Sequence, residues 1–245
     1  MAISRSTTTA ALAAIGFAVA GATAALAQNY DGNHQVRFGA YLLGGSANGT
    51  AEFNDISTGN IFNPSYSNGV AGIGVSGGLE WVRRGSWSWG VEIDGAALQG
   101  SSVKDYTVVR RGIDTPAVSK IGFDYLATVR ARGGLYLRND FLWYGTLGVA
   151  FLGTEARTTI QGNALKVQST QTGLAIGTGL EYDFGAGLLF GEYLYTGFGD
   201  TEAAVSGTHY NYDARLHTFR VGVKFKVGHD YYYDDVAART GRVLK

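Results

Sequence analysis

From Phe123 to Arg138 the chain reads FDYLATVRARGGLYLR. Phe123, Tyr125, Ala127, Val129, Ala131, Gly133, Leu135 and Leu137 fall on one parity, and Asp124, Arg130, Arg132 and Arg138 on the other. A period of two is the signature of a β-strand, whose successive side chains point to opposite faces. The run therefore predicts a long strand with one face against an apolar medium and the other in a polar one. The same pattern recurs at Trp87, Trp89, Val91, Ile93 and Ala97 against Glu92 and Asp94. It returns at Phe219, Val221, Val223, Phe225 and Val227 against Arg220, Lys224 and Lys226.

Read this way and bounded by turn residues, the chain predicts eight strands, over 34–46, 70–83, 87–100, 121–138, 141–157, 168–184, 188–201 and 215–227. Arg84-Gly85-Ser86, Asn139-Asp140 and Gly185-Ala186-Gly187 join them in pairs as tight hairpins. The remaining gaps, 47–69, 101–120, 158–167 and 202–214, are longer and polar, and are expected to be loops. Short turns at one end and long connections at the other are what an antiparallel meander produces. Trp81, Trp87, Trp89 and Trp143 all lie beside the short turns, with Tyr182 close to the third. Indole and phenol rings favour the headgroup level of a bilayer, so these residues form a candidate aromatic girdle.

The first 27 residues change the picture further. Arg5 is followed by an apolar run and by Ala25-Leu26-Ala27, the pattern of a cleaved signal peptide. The expected organisation is a signal peptide over 1–27, an outer-membrane barrel over 28–227, and a C-terminal tail over 228–245 on the periplasmic side. There is no cysteine, so an exported chain must hold together without disulfides. Lys and Arg together number 20, as do Asp and Glu, which leaves no global field to attract nucleic acid. Glycine is abundant at 37 residues and proline sparse at two, with many aromatics, as in β-rich sheets.

A membrane-crossing strand needs about ten alternating residues, and its backbone groups are satisfied only if the sheet closes. The predicted fold is all-β, an eight-stranded antiparallel up-and-down transmembrane β-barrel. Eight strands leave an interior about wide enough for side chains to fill. Its polar faces would gather a lumen charge network of Arg37, Glu80, Glu92, Asp94, Asp124, Arg130, Arg132, Arg138, Glu181, Glu192, Arg220 and Lys224. An unpaired buried charge costs several kcal/mol, so these groups are expected to neutralise one another as a plug. A soluble barrel with the faces reversed shows the same alternation; the tryptophan placement favours the membrane version.

Other motifs carry less. Gly72-Ile73-Gly74-Val75-Ser76-Gly77 spells a dinucleotide fingerprint, but inside a strand and without a helix. His34, His209, His217 and His229 have no metal-ligand spacing, so neither cofactor nor metal is expected. His217 lies near Ser206 and Asp213 in sequence, which raises an acyl-transfer reading that proximity alone does not support.

Arg220, Gly222, Phe225 and Val227 resemble the terminal-strand signal by which the bacterial barrel-assembly machinery recognises its clients. Together with GLEYDFGAGLLFGEYLYTGFGD and RLHTFRVGVKFKVG, the chain resembles the small opacity-type, OmpA-like outer-membrane proteins, in particular the alphaproteobacterial porin-family or outer-membrane immunogenic branch. The resemblance implies an outer-membrane barrel with exposed loops and brings no catalytic residues. The expected partners are outer-membrane lipid and lipopolysaccharide and the assembly machinery, and the exposed loops are candidates for contact with a surface or host ligand.

The expected role is therefore structural and surface-interacting, carried by loops bearing Glu52, Asp55, Phe62, Tyr66, Lys104, Arg110, Arg111 and Asp114. A narrow porin-like channel is the alternative, and a lipid-modifying enzyme a more distant one. The pattern does not address oligomeric state.

Overall fold

The computed structural model describes residues 34–55, 60–62, 65–82, 87–110, 113–160, 163–205 and 208–227. The segments expected to be signal peptide and tail lie outside the described residues, as does the Arg84-Gly85-Ser86 turn. Ten strands form: β1 (His34–Asp55), β2 (Asn60–Phe62), β3 (Ser65–Val82), β4 (Trp87–Gln99), β5 (Ser101–Arg110), β6 (Ile113–Arg138), β7 (Phe141–Ile160), β8 (Asn163–Asp183), β9 (Leu188–Val205) and β10 (Thr208–Val227).

They make eight staves, because β2 with β3, and β4 with β5, each continue one another up the wall. All pairing is antiparallel between consecutive staves, and β10 returns to β1, from Val36 opposite Val227 to Asp55 opposite Thr208. Closure removes the sheet edge, so the backbone groups that face lipid are paired within the chain.

The tight turns follow from local chemistry. Gly185 adopts a φ of 88°, in the left-handed region that glycine occupies without a Cβ clash. Its amide donates to Asp183 Oδ1 at 2.8 Å, and the Phe184 amide donates to the Gly187 carbonyl at 3.1 Å. The Asp183 amide donates to the Asp140 carbonyl at 2.8 Å, tying this turn to its neighbour.

The long gaps differ from the sequence reading. Residues read as loops are largely strand, since pairing continues to tips at Asp55 with Asn60, Arg110 with Ile113, Ile160 with Asn163, and Val205 with Thr208. β6 alone runs for 26 residues, more than twice the ~10 that cross a bilayer. The polar composition that indicates a loop in a soluble protein here marks strand that has left the lipid.

Outside, the wall is apolar. Phe219 is 67% exposed, and Leu42, Ile73, Val91, Ile93, Val129, Leu147, Leu174 and Val223 also face outward. Trp87, Trp89, Trp143 and Tyr182 face outward at the tight-turn end, and Trp81 stacks on Trp89 with ring centroids 4.3 Å apart. At the other margin Tyr193, Tyr195 and His217 cluster, with the Tyr193 hydroxyl 2.7 Å from His217 Nδ1, and Tyr125 meets Thr170 at 2.8 Å. This second ring of amphipathic residues escaped the sequence reading, which followed tryptophan.

Candidate functional site

Inward positions near the tight-turn end bring ten charges together. They are the acids Glu80, Glu92, Asp94, Glu181 and Glu192 and the bases Arg37, Arg130, Arg132, Arg220 and Lys224. Alternation places them: each is spaced an even number of residues from the next inward position of its strand.

Arg130 is the hub. Its NH2 lies 2.8 Å from Glu92 and 2.7 Å from Asp94, and its NH1 lies 2.7 Å from Glu192. Its side chain is 1% exposed. Arg132 spans Glu80 at 3.2 Å, Glu92 at 3.0 Å and Glu181 at 2.9 Å. Arg37 NH1 joins Glu80 at 2.7 Å and Glu181 at 2.8 Å, while its Nε donates to Gln35. Arg220 meets Asp94 at 3.0 Å, and Lys224 bridges Glu92 to Glu181, the latter at 3.0 Å.

Neutral groups complete the shell. Tyr41 donates to Asp94 Oδ1 at 2.9 Å, Thr128 to Asp94 Oδ2, and Tyr144 to Glu192 Oε2 at 3.2 Å. The Arg132 guanidinium lies 4.1 Å from the centre of the Tyr144 ring and Arg220 5.0 Å from that of Tyr41, adding cation–π attraction. Through Tyr144 and Thr146, the latter accepting from Arg130 NH1 at 3.2 Å, β7 takes part as well, although it gives the network no charged residue. Small residues make the room: a Cβ on Gly74 would run into the Tyr41 ring, and one on Gly179 into that of Tyr144.

Further up the lumen, an apolar layer replaces the charges. Leu43, Val70, Leu98, Phe123, Leu126, Leu152, Leu194, Phe198 and Leu216 pack together there, nearly inaccessible to solvent. Sequence reading missed this layer because it listed the ionic members of each inward face. Leu126, Leu194 and Leu216 share parity with Arg130, Glu192 and Arg220, so the signal was present.

Two expected members of the network stand elsewhere. Asp124 is the extra residue of a β-bulge, where Phe123 opposes Thr154 and Tyr125 opposes Gly153. The bulge resets parity, so Phe123 turns inward at 3% exposed while Asp124 sits half-buried beside the apolar layer. A second irregularity between Tyr136 and Arg138 moves Arg138 out of the lumen. Its side chain is 76% exposed, 3.7 Å from Asp140 in the adjoining turn.

Of the acyl-transfer candidates, His217 and Asp213 each have other partners. His217 bonds Tyr193 on the outer wall, while Asp213 accepts from Thr50 N and Oγ1, both at 2.5 Å, and Ser206 lies outside the described residues. The residues of the terminal-strand motif lie on β10, where the Phe225 ring packs at a tilt against Phe38 of β1, the centroids 5.7 Å apart.

Similarity to known proteins matches this architecture. The family model of the outer membrane protein beta-barrel domain matches residues 10–225. The 31 kDa outer-membrane immunogenic proteins of Brucella melitensis biotype 1 and Brucella suis biovar 1 are each 29% identical over 160 residues, covering 62% of this chain. The chain spans 65% of the length of those relatives. Among solved structures, OprG of Pseudomonas aeruginosa aligns at 14% identity over 81% of this chain and 97% of its own, with a TM-score of 0.42. The Escherichia coli protease OmpT aligns at 10% identity over 79% and 97%, with a TM-score of 0.45. A closed antiparallel barrel with a greasy exterior, matched over nearly its whole length by one family, belongs to the outer-membrane protein β-barrel domain family and resides in the bacterial outer membrane.

Proposed function

We propose that the protein is a non-catalytic outer-membrane barrel whose tall outward rim meets the cell's surroundings, the lumen serving as structural ballast and not as a channel. The observation that carries this reading is the filling of the lumen. Five acids and five bases interlock across the barrel, and the apolar layer stacks above them. An ion entering would displace paired charges and then cross a layer with nothing to solvate it. The outward direction of the rim rests on the tryptophan-rich, tight-turn end being periplasmic, as is usual for such barrels. In the same reading the β10 residues Arg220, Gly222, Phe225 and Val227 serve as the strand read by the assembly machinery.

Planar-bilayer recording on refolded protein tests the filled lumen. The wild type is expected to be silent; stable conductance altered by Glu92→Ala would replace this reading with the channel. Protease shaving of intact cells tests the rim. It should cut within the strand tips, leave a membrane-held barrel fragment, and abolish the difference in surface binding between cells with and without the protein.

A further inference from the structure

Above the apolar belt the wall divides. Pairing between β8 and β9 stops at Gly173 with Phe198, and pairing between β3 and β4 stops at Ala71 with Gln99. Beyond those points the described residues pair as two separate antiparallel groups. One joins the upper parts of β9, β10, β1 and β3, the other β5 with the upper parts of β6, β7 and β8. β8 nevertheless extends to Asn163 and β9 to Val205, so an edge of β8 borders a gap in the wall.

The gap opens where the lipid ends. On β8 the last large apolar outward residue is Leu174, and Thr172, Thr170 and Gln168 are the exposed positions above it. Hydrocarbon forbids unpaired backbone groups and water permits them, so the wall can part only beyond that level. A bulge makes it part. Phe198 opposes Ala214 and Thr201 opposes Tyr212, which sets Gly199 and Asp200 of β9 against Asp213 alone. A bulged strand bends, and bulges commonly end pairing with a neighbour. Asp213 fastens the bend: its Oδ1 accepts from Thr50 N and Oγ1, and its carbonyl accepts from the Tyr66 hydroxyl at 2.8 Å. These ties hold the upper β9–β10 hairpin against β1 and β3, on the side away from β8.

The edge left on β8 is also unprotected. Exposed edges are normally blunted by charge, proline, bulges or shortness. Residues 163–170 contain no Gly or Pro, carry Lys166 as their one charge, and pair with β7 without a register shift. The other strands bordering the gaps differ. β5 carries Lys104, Asp105 and Arg110, β9 carries Gly199, Asp200 and Glu202 around its bulge, and the upper part of β3 is short and contains Gly69. Alternate residues of an antiparallel strand turn their backbone groups to one side, so the β8 edge offers roughly four N–H and four C=O groups.

Backbone groups in that array are matched by another extended chain. A second copy does not fit the edge. Two barrels in one membrane run β8 in the same direction, and their tilts would cross at roughly 80° where the walls meet. A peptide arriving from the outside has neither constraint. We propose that residues 163–170 of β8 form a strand-docking edge at the outer rim, which takes an extended polypeptide segment of a partner protein by antiparallel backbone pairing. The inference deepens the surface reading of the rim and rests on it.

The test uses a fluorescein-labelled peptide with the sequence of residues 163–172 as its probe. Paired antiparallel about its centre, that sequence sets Lys166 opposite Ser169, so no like charges meet. Fluorescence anisotropy on refolded, detergent-held protein should show saturable binding. N-methylating alternate amides of the peptide in one phase should weaken binding at least tenfold, while the other phase should leave it within about twofold, since only one edge of the peptide pairs. Ala156 opposes Val167, so replacing residues 157–166 by Asn-Gly closes a shortened β7–β8 hairpin and removes most of the edge. That variant should lose the binding, whereas the variant with residues 202–211 replaced by Asn-Gly should keep it. Should the β7–β8 variant not refold, the two N-methylated peptides still decide on the wild type. Absence of saturable binding, indifference to the methylation phase, or binding that survives loss of the β8 edge overturns the proposal. Binding lost only when the β9–β10 tip is trimmed overturns the assignment to β8, and dimerisation through the edge without peptide overturns the choice of partner. Shaving of intact cells reports the rim's orientation separately, so failure of the edge and failure of the surface reading are distinguishable.

Discussion

Arg130 shows what a single side chain does in this lumen. It compensates Glu92, Asp94 and Glu192 at once, and all three carboxylates are almost fully buried. Removing one partner of a buried ion pair typically costs about 3–5 kcal/mol, because the charge left behind remains desolvated. Arg130→Ala should therefore shift the urea unfolding midpoint in lipid vesicles markedly downward, as followed by fluorescence of the four tryptophans. Arg138→Ala, whose side chain is exposed beside Asp140 in the turn, should move it by less than about 0.5 kcal/mol. Equal effects would place Arg138 in the lumen, as parity alone suggests. Steric fit gives a second case. Gly74→Val would press on the Tyr41 ring that holds Asp94, and overpacking of this kind costs about 1–3 kcal/mol. The same unfolding curve reads it, and a Gly74→Val midpoint at the wild-type value would mean the ring has room to move.

At the scale of strands, alternation made much of the barrel legible beforehand. Val91, Glu92, Ile93 and Asp94 point where their parity puts them, because lipid and lumen reward opposite chemistry at successive positions. Parity fails where an extra residue enters. Nothing in the spelling of Gly122-Phe123-Asp124-Tyr125 announces a bulge, which arises where β4 gives way to β5 and Phe123 N reaches the Gly100 carbonyl at 3.1 Å. Strand ends were also hidden, since polar residues above the lipid can be loop or solvated sheet with the same composition. The extended register predicts how the tips tolerate change. Thr201 opposes Tyr212, so replacing residues 202–211 by Asn-Gly should close the β9–β10 hairpin with a tight turn. The shortened protein should still migrate differently on gels with and without boiling; loss of the folded band would show that the tip is needed for closure. In the opposite turns, Gly185→Ala forces a Cβ into the left-handed region at φ 88° and should cost about 1–2 kcal/mol in the same unfolding assay.

At the scale of the whole molecule, two layers are stacked inside one wall, ion pairs toward the tight turns and an apolar layer above them. The wall's exterior reads the other way, apolar across the belt and polar beyond it. Hydrocarbon is thus the solvent for one side of each strand, and the lumen is a private ionic interior. Because the chain has no cysteine, single-cysteine variants along β6 test this most directly. Nitroxide labels at Thr128, Val129, Arg130 and Ala131 in refolded bilayers report contact with dissolved oxygen, which concentrates in lipid. High oxygen accessibility at positions 129 and 131 with low values at 128 and 130 is the predicted result. Uniform accessibility along the four positions, or the reverse alternation, would contradict it.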